Sequence, residues 1–419
     1  MVAKLPPRGW NSWDCFGAAV NEEQVKANAE YIAANMKDCG YEYVVIDIEW
    51  YQPTAGSHEY EPFSELCMDE YGRLIPAENR FPSAAGGKGF KPLADYIHSL
   101  GLKLGIHIMR GMPRMAAHKK LPILGSDQNA AMVANPNSIC AWNPDMYGLK
   151  CETNEAGARA YYESIFALYA EWGVDFIKLD DICREYPHCK REIELISESL
   201  RGCGRDMVLS LSPGPAILET SEHLKKYSNM WRITDDFWDQ WDLLLNMFER
   251  ARVWCTHAGP GHWPDADMLP VGALRRCSEP DGWTAFTEAE QRTMMSLWCM
   301  MRAPLMVGAD LPANDEFTLK LLTNKEVLDI EEKSHCGHEL FHTDEEVAWF
   351  APMKDNSGAY LALFNVGEKA RTISVSLSDL EIMKEVEMVE LWSGAKCTAS
   401  GEVAMLVEPH DAVIFCLNY

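Results

Sequence analysis

The chain has 419 residues, 47% hydrophobic and 24% charged, enough for one large domain and a smaller one with ample core. Its 38 basic against 63 acidic residues leave a formal charge of −25, which argues against nucleic acid or an anionic membrane surface as a partner. No run of about 18 apolar residues occurs and the N-terminus has no apolar signal core, so the sequence reads as soluble and cytoplasmic; a secreted mature form would read the same.

In chain order, a helix–glycine–strand phrase recurs. Asp38-Cys-Gly40, Leu100-Gly101, Trp172-Gly173 and Cys203-Gly204 each precede a short apolar run, and glycine there supplies the left-handed residue that ends a helix. Asn21 with Gln24 marks a capped helix start, and Tyr161, Ile165, Phe166, Tyr169 and Trp172 recur at helical spacing. Eight strand ends are expected near 10–13, 44–50, 104–109, 176–180, 208–212, 230–236, 262–268 and 304–310. Helices alternating with short strands imply parallel pairing, and eight units in about 310 residues predict a (β/α)8 TIM barrel, an α/β fold, over 1–330. A doubly wound open sheet is the alternative, but no Gly-x-Gly-x-x-Gly fingerprint follows a first strand. Residues 51–90 and 110–154, rich in Gly, Pro and Asn, read as long loops. Short runs at 347–351, 360–365, 372–377, 387–392, 404–407 and 413–417, separated by turns, predict an antiparallel β-sandwich over 331–419 with no chemistry of its own.

Fourteen cysteines are scattered singly without a Cys-x-x-Cys pair, which predicts free thiols more than a disulfide frame or a zinc site. No cofactor is expected. A homo-oligomeric state is left open.

In a barrel the reactive groups come from the C-terminal strand ends, and here those ends carry Asp47 and Glu49, Asp180 and Asp181, Asp235 and Asp236, Asp265 and Asp267, and Asp310. Alternation along a strand puts Lys178 and Asp180 on one face, Asp47 and Glu49 on another, and Arg232, Thr234 and Asp236 on a third. A lysine beside a carboxylate at a buried strand end is costly unless something uses it; the bland reading is a structural ion pair. Two carboxylates across a pocket suit glycosidic bond cleavage, one attacking the anomeric carbon and one protonating the leaving oxygen. On that reading Asp180 is the nucleophile, kept ionised by Lys178, and its partner carboxyl must hold a proton near neutrality, which burial and nearby negative charge favour. Trp10, Trp13 and Trp50 could offer faces to sugar C–H groups, although each is more simply core. A ring of acids could also hold magnesium. Lys178 would compete with a cation there, and His107, His257 and His262 are too dispersed for a zinc set, so no metal is expected.

Taken together, these residues resemble the melibiase family, the α-galactosidases of glycoside hydrolase family 27. The likeness runs through Arg8-Gly-Trp-Asn-Ser-Trp13, Tyr43-Val-Val-Ile-Asp47, Gly101-Leu-Lys-Leu-Gly-Ile106 and Phe176-Ile-Lys-Leu-Asp180. It continues through Trp231-Arg-Ile-Thr-Asp-Asp236, Gly259-Pro-Gly-His-Trp-Pro-Asp-Ala-Asp-Met268 and Ala303-Pro-Leu305. The resemblance implies a (β/α)8 barrel with a C-terminal β-sandwich and a metal-free retaining double displacement. It places the nucleophile at Asp180 and the acid/base at Asp236, with Asp235 the reserve candidate if the register slips by one residue. Asp47, Lys178 and Arg232 match its sugar-binding positions, Trp13 its pocket wall, and Asp267 is counted with the binding group. The pattern departs in three places. Strand two ends Asp47-Ile-Glu-Trp50 where the family has Asp-Asp-Cys-Trp, which removes a carboxylate that grips the axial 4-hydroxyl unless Glu49 reaches in. His107 replaces a tyrosine. Ser212 stands where galactosidases carry a glutamate reading the 2-hydroxyl, as in α-N-acetylgalactosaminidases. The expected activity is retaining exo-hydrolysis of terminal α-D-galactosyl residues. Alternatives are an α-N-acetylgalactosaminidase, a β-L-arabinopyranosidase or an α-glucosidase; a carbohydrate-binding protein without turnover and a metal-dependent lyase or isomerase lie outside the class.

Overall fold

A computed structural model describes residues 2–186 and 188–419. Its first eight-stranded sheet is wholly parallel and consists of Arg8–Asn11, Tyr43–Ile46, Lys103–Met109, Phe176–Asp180, Val208–Leu211, Met230–Arg232, Trp263–Asp265 and Leu305–Val307. Each strand neighbours the next in sequence, and the first pairs with the eighth. Between the seventh and eighth, one parallel bridge from Leu269 to Val307 closes the ring where a full ladder is lacking. This is the (β/α)8 barrel expected from the sequence.

Side-chain alternation sorts the barrel into layers. Tyr43, Val45, Phe176, Val208, Met230, Trp263 and Met306 form one apolar cluster inside, whereas Val44, Ile46, Ile177, Leu179, Leu209 and Leu211 face the helices. Inner positions nearer the strand ends are polar: Asp47, Lys178, Asp180, Ser210 and Arg232. The apolar layer thus plugs the barrel and separates the charged C-terminal mouth from the opposite end. Gly105 is glycine for space, because a Cβ there would lie 2.7 Å from the Val45 side chain and 3.0 Å from that of Phe176.

The helix starts and stops follow the sequence signals. Asn21 caps Glu22–Asn35 in a reciprocal capping box with Gln24. Glu155–Trp172 ends on Gly173 at φ +86°, in the left-handed region. One expectation fails in the connections. The stretch 110–154, read as loop, contains a small antiparallel sheet of Met112–Pro113, Ala134–Ile139 and Met146–Leu149, whose short strands and non-local pairing leave no local signature.

Beyond the helix Lys325–Lys333, a six-stranded antiparallel sheet packs against a two-stranded antiparallel sheet of Arg371–Ser376 with Glu402–Val407. Ile373, Val375, Val403, Leu361, Leu363, Phe415 and Leu417 fill the space between them. Two of its strands, His338–His342 and Lys396–Ala399, were not anticipated; both are edge strands with mostly exposed or half-buried residues and no apolar alternation. The sandwich is fixed to the barrel by a two-pronged Arg292–Asp411 pair, at 2.9 and 2.6 Å, and by Trp392 Nε1 donating to Ser296 Oγ at 3.0 Å. Among the described residues no helix is long and apolar enough to cross a membrane.

Arg8 ties the first barrel strand to the last barrel helix. It donates to Glu331 Oε2 at 2.9 Å and to the carbonyls of Cys39 and Leu328 at 2.7 Å. Glu331 is fully buried, so removing Arg8 takes away its hydrogen-bonded partner and leaves only the Arg302 charge to offset burial. Arg8→Met is therefore expected to cost about 3–5 kcal/mol, read as a lower denaturation midpoint at unchanged denaturant dependence.

Candidate active site

At the C-terminal mouth one cavity is lined by Trp13, Asp14, Asp47, Tyr60, Lys178, Asp180, Ser212 and Pro213, and on the opposite wall by Arg232, Asp236, Phe237, Trp238, Asp267 and Met268. A roomier cavity lies at the other end of the barrel, between residues 2–8, Glu42, Lys103 and Arg205. None of the strand-end acids reaches it.

Asp180 is the last residue of the fourth strand, and both of its oxygens are held. His107 Nε2, from the third strand, lies 2.9 Å from Oδ2. Ser212 Oγ donates to Oδ1 at 3.0 Å and the Asp181 amide at 2.9 Å. Burial raises the Asp180 pKa, but the His107 hydrogen bond and charge, with Lys178 behind them, outweigh it and hold the carboxyl below its usual range. Lys178 is not the direct partner expected for Asp180. Its ammonium sits on Asp47 Oδ2 at 2.7 Å, where Asn11 Nδ2 also donates at 2.8 Å. Burial alone would raise the pKa of Asp47; the Lys178 charge reverses that and keeps it low.

The sixth strand stops at Arg232, so the shared strand face proposed for Arg232, Thr234 and Asp236 ends there. Asp236 lies in the following loop, its side chain 63% exposed, with Oδ1 3.3 Å from Arg232 Nη2. The burial expected to protonate it is absent. Its amide donates to Asp235 Oδ1, and the Asp235 carboxylate pairs with Arg184, away from the cavity lining. Arg232 is buried, and its main ionic contact is Asp267 Oδ2 at 2.7 Å. Burial raises the Asp267 carboxyl to about 7, against the pull of Arg232.

Two residues expected to touch substrate do not line the cavity. The second strand ends at Ile46, so alternation no longer applies at Glu49, which sits at φ +66° in a turn. Its side chain is buried with Oε2 unpartnered, and burial pushes its carboxyl up to about 8 against the nearby Arg80 charge. His107 stands behind Asp180 as its hydrogen-bond partner. Ser212 does line the cavity, yet its hydroxyl is spent on Asp180.

Of the three candidate tryptophans, Trp10 and Trp50 are fully buried and donate to the carbonyls of Ala309 and His107, both at 2.7 Å. They are core. Trp13 is half-buried and stacks on Tyr60, centroids 5.7 Å apart and 13° from parallel; Trp142 packs beyond Tyr60 at 5.5 Å. Tyr60, Trp142 and Trp238 come from loops without periodicity, and sequence reasoning missed them. All fourteen cysteines are unpaired. Among the described residues no grouping of three or more His, Cys, Asp or Glu could hold a metal ion.

The "Alpha galactosidase A" family profile matches residues 5–143 and 138–333, and the "Alpha galactosidase C-terminal beta sandwich domain" profile matches 343–417. The α-galactosidase of Cyamopsis tetragonoloba is 28% identical over 427 residues, which span all of this chain and 87% of that protein. The α-N-acetylgalactosaminidase of Gallus gallus is 28% identical over 351 residues, 78% of this chain and 70% of that protein. Among solved structures, a GH27 β-L-arabinopyranosidase from Geobacillus stearothermophilus superposes with a TM-score of 0.96 at 50% identity, over all of this chain and 97% of that one.

Proposed function

The chain belongs to the α-galactosidase A (melibiase) family and is a glycoside hydrolase, and on that footing we propose that it removes terminal α-D-galactosyl residues by a retaining double displacement with Asp180 as nucleophile and Asp236 as acid/base. The observation that carries this reading is that one cavity presents Asp180, ionised and held at both oxygens, together with Asp236 on its exposed wall.

In the first step an Asp180 oxygen attacks the anomeric carbon while Asp236 gives its proton to the departing glycosidic oxygen. The carboxylate becomes an ester, and the hydrogen bonds from His107 and Ser212 orient it for that role. In the second step Asp236, now ionised beside Arg232, takes a proton from water. The resulting hydroxide attacks the anomeric carbon and releases Asp180. Asp236 is open to solvent on the side where leaving group and water exchange, and a bound sugar would cover it. Asp47 and Lys178 form an acceptor–donor pair suited to vicinal sugar hydroxyls, and Trp13 supplies the apolar wall. A cytoplasmic setting is supported by the unpaired thiols, including the exposed Cys336 and Cys397.

A second substrate reading is favoured by Ile48. It is buried and stands where the α-galactosidase pattern has a second acid, so the site departs from that pattern beside Asp47 with an apolar side chain. A β-L-arabinopyranoside has the ring configuration of an α-D-galactoside without the exocyclic CH2OH, and the 50%-identical Geobacillus stearothermophilus protein is a β-L-arabinopyranosidase.

A panel of para-nitrophenyl glycosides separates these readings. The α-D-galactopyranoside and the β-L-arabinopyranoside are both expected to be hydrolysed. The α-D-glucopyranoside, inverted at C4, is expected to fall about 100-fold or more behind in kcat/KM, because an unmatched hydroxyl leaves buried polar groups unpaired. An arabinopyranoside preference above tenfold would select the second reading. Turnover of the α-N-acetylgalactosaminide alone would overturn both.

A further inference from the structure

Asp14 has no place in the chemistry above, yet it lines the same cavity. It lies in the short helix Trp13–Phe16 that leaves the first strand, beside the pocket wall Trp13, and is 1% exposed. Among the described residues no donor meets its buried Oδ2. That oxygen presses on Gly308, where an added Cβ would lie 2.1 Å away, so the carboxyl cannot swing back into the barrel wall.

The two cations of the cavity are engaged elsewhere, Lys178 on Asp47 at 2.7 Å and Arg232 on Asp267 at 2.7 Å and Asp236 at 3.3 Å, and the His107 ring behind it is spent on Asp180 at 2.9 Å. Asp14 is left with three neighbouring carboxyls, those of Asp267, Asp47 and Asp236, and a lysine already paired. Burial first, then the Asp267 charge, drives its carboxyl well above the usual range. An ionised group in this position would be an uncompensated buried charge among like charges. A protonated carboxyl can donate one hydrogen bond as well as accept, and Oδ2 has no protein partner among the described residues.

We propose that Asp14 is an uncharged sugar-reading residue: its carboxylic acid donates a hydrogen bond to one hydroxyl oxygen of the bound pyranose, a contact that the strand-end residues do not supply. This rests on the reading of the cavity as a sugar site. It explains why an unpartnered carboxyl is retained there, since the ligand supplies the missing partner, and a free site that leaves a buried polar group unsatisfied is penalised until the right hydroxyl arrives.

The test compares wild type, Asp14→Asn and Asp14→Leu on the nitrophenyl glycoside that wild type hydrolyses best, with melting temperatures measured alongside. Asp14→Leu is expected to lose about 10- to 100-fold in kcat/KM, while its melting temperature stays equal or rises, because an unpaired buried polar group has been removed. Asp14→Asn, nearly the same shape and still both donor and acceptor, is expected to keep activity within about fivefold. Inhibition by D-galactose and its monodeoxy derivatives provides a second measurement on wild type and Asp14→Leu. One deoxy sugar should bind both proteins equally while the others distinguish them. Asp14→Leu with activity within threefold of wild type would overturn the proposal, as would Asp14→Asn falling as far as the leucine variant, which would mean that the carboxylate acts charged. If wild type hydrolyses none of the panel, the sugar-site reading itself fails, an outcome distinct from either.

Discussion

Asp180→Ala is expected to lower kcat by about 10⁴-fold or more, the scale of loss when a covalent nucleophile is removed, while binding of the product sugar persists. The expectation follows from how completely the carboxylate is committed. Its two oxygens receive His107, Ser212 and the Asp181 amide at 2.9, 3.0 and 2.9 Å, and the His107 interaction overrides burial to keep it ionised. No neighbouring carboxylate can stand in: Asp181 is salt-bridged to Arg110 at 3.0 Å, and Asp47 is bound to Lys178. Azide fits the space the alanine leaves. Attack by azide on the anomeric carbon, with Asp236 still protonating the leaving oxygen, should give a glycosyl azide of inverted anomeric configuration. Recovery of hydrolysis without inversion would contradict the assignment.

Asp236→Ala is expected to behave differently, and the contrast is the diagnostic. Loss of a general acid costs about 10²–10⁴-fold, but only where the leaving group needs a proton. Natural oligosaccharides and methyl glycosides should show the whole loss. Nitrophenyl substrates, whose leaving group departs as an anion, should show little loss in the first step and accumulate the glycosyl-enzyme, giving a burst and a low KM. Azide should then restore turnover and yield a product of retained configuration. A uniform loss across leaving groups would point instead to Asp236 acting only in binding.

The barrel and the fourth strand were legible because their signals are local. Alternation over Phe176–Asp180 needs only five residues, and Gly173 announces the strand by ending the helix before it. The third and fifth strands then supply His107 and Ser212, whose position beside Asp180 follows from register, with His107 opposite Lys178 and Lys178 opposite Ser210. Their hydrogen bonds to Asp180 could not be read from the chain, because a shared register says nothing about rotamer. Parity misled wherever a strand ended sooner than its apolar run. Beyond Ile46 and Arg232 the backbone turns, so Glu49 went astray and Asp236 reached the cavity from a loop rather than along a strand face. Tyr60, Trp142 and Trp238 sit on connections whose conformation is set by contacts far apart in sequence, and Asp14 gave no sign because a single acid in a short helix normally faces solvent.

One measurement addresses the central claim directly. The protein is incubated with a 2-deoxy-2-fluoro-α-D-galactosyl derivative bearing a good leaving group, which slows breakdown of the ester more than its formation, and is then digested and mapped by mass spectrometry. A single glycosyl adduct on the peptide that contains Asp180, absent from the Asp180→Ala protein, is the predicted result; a label on Asp236 or any other side chain, or release of the inverted sugar from an unmodified protein, would contradict it.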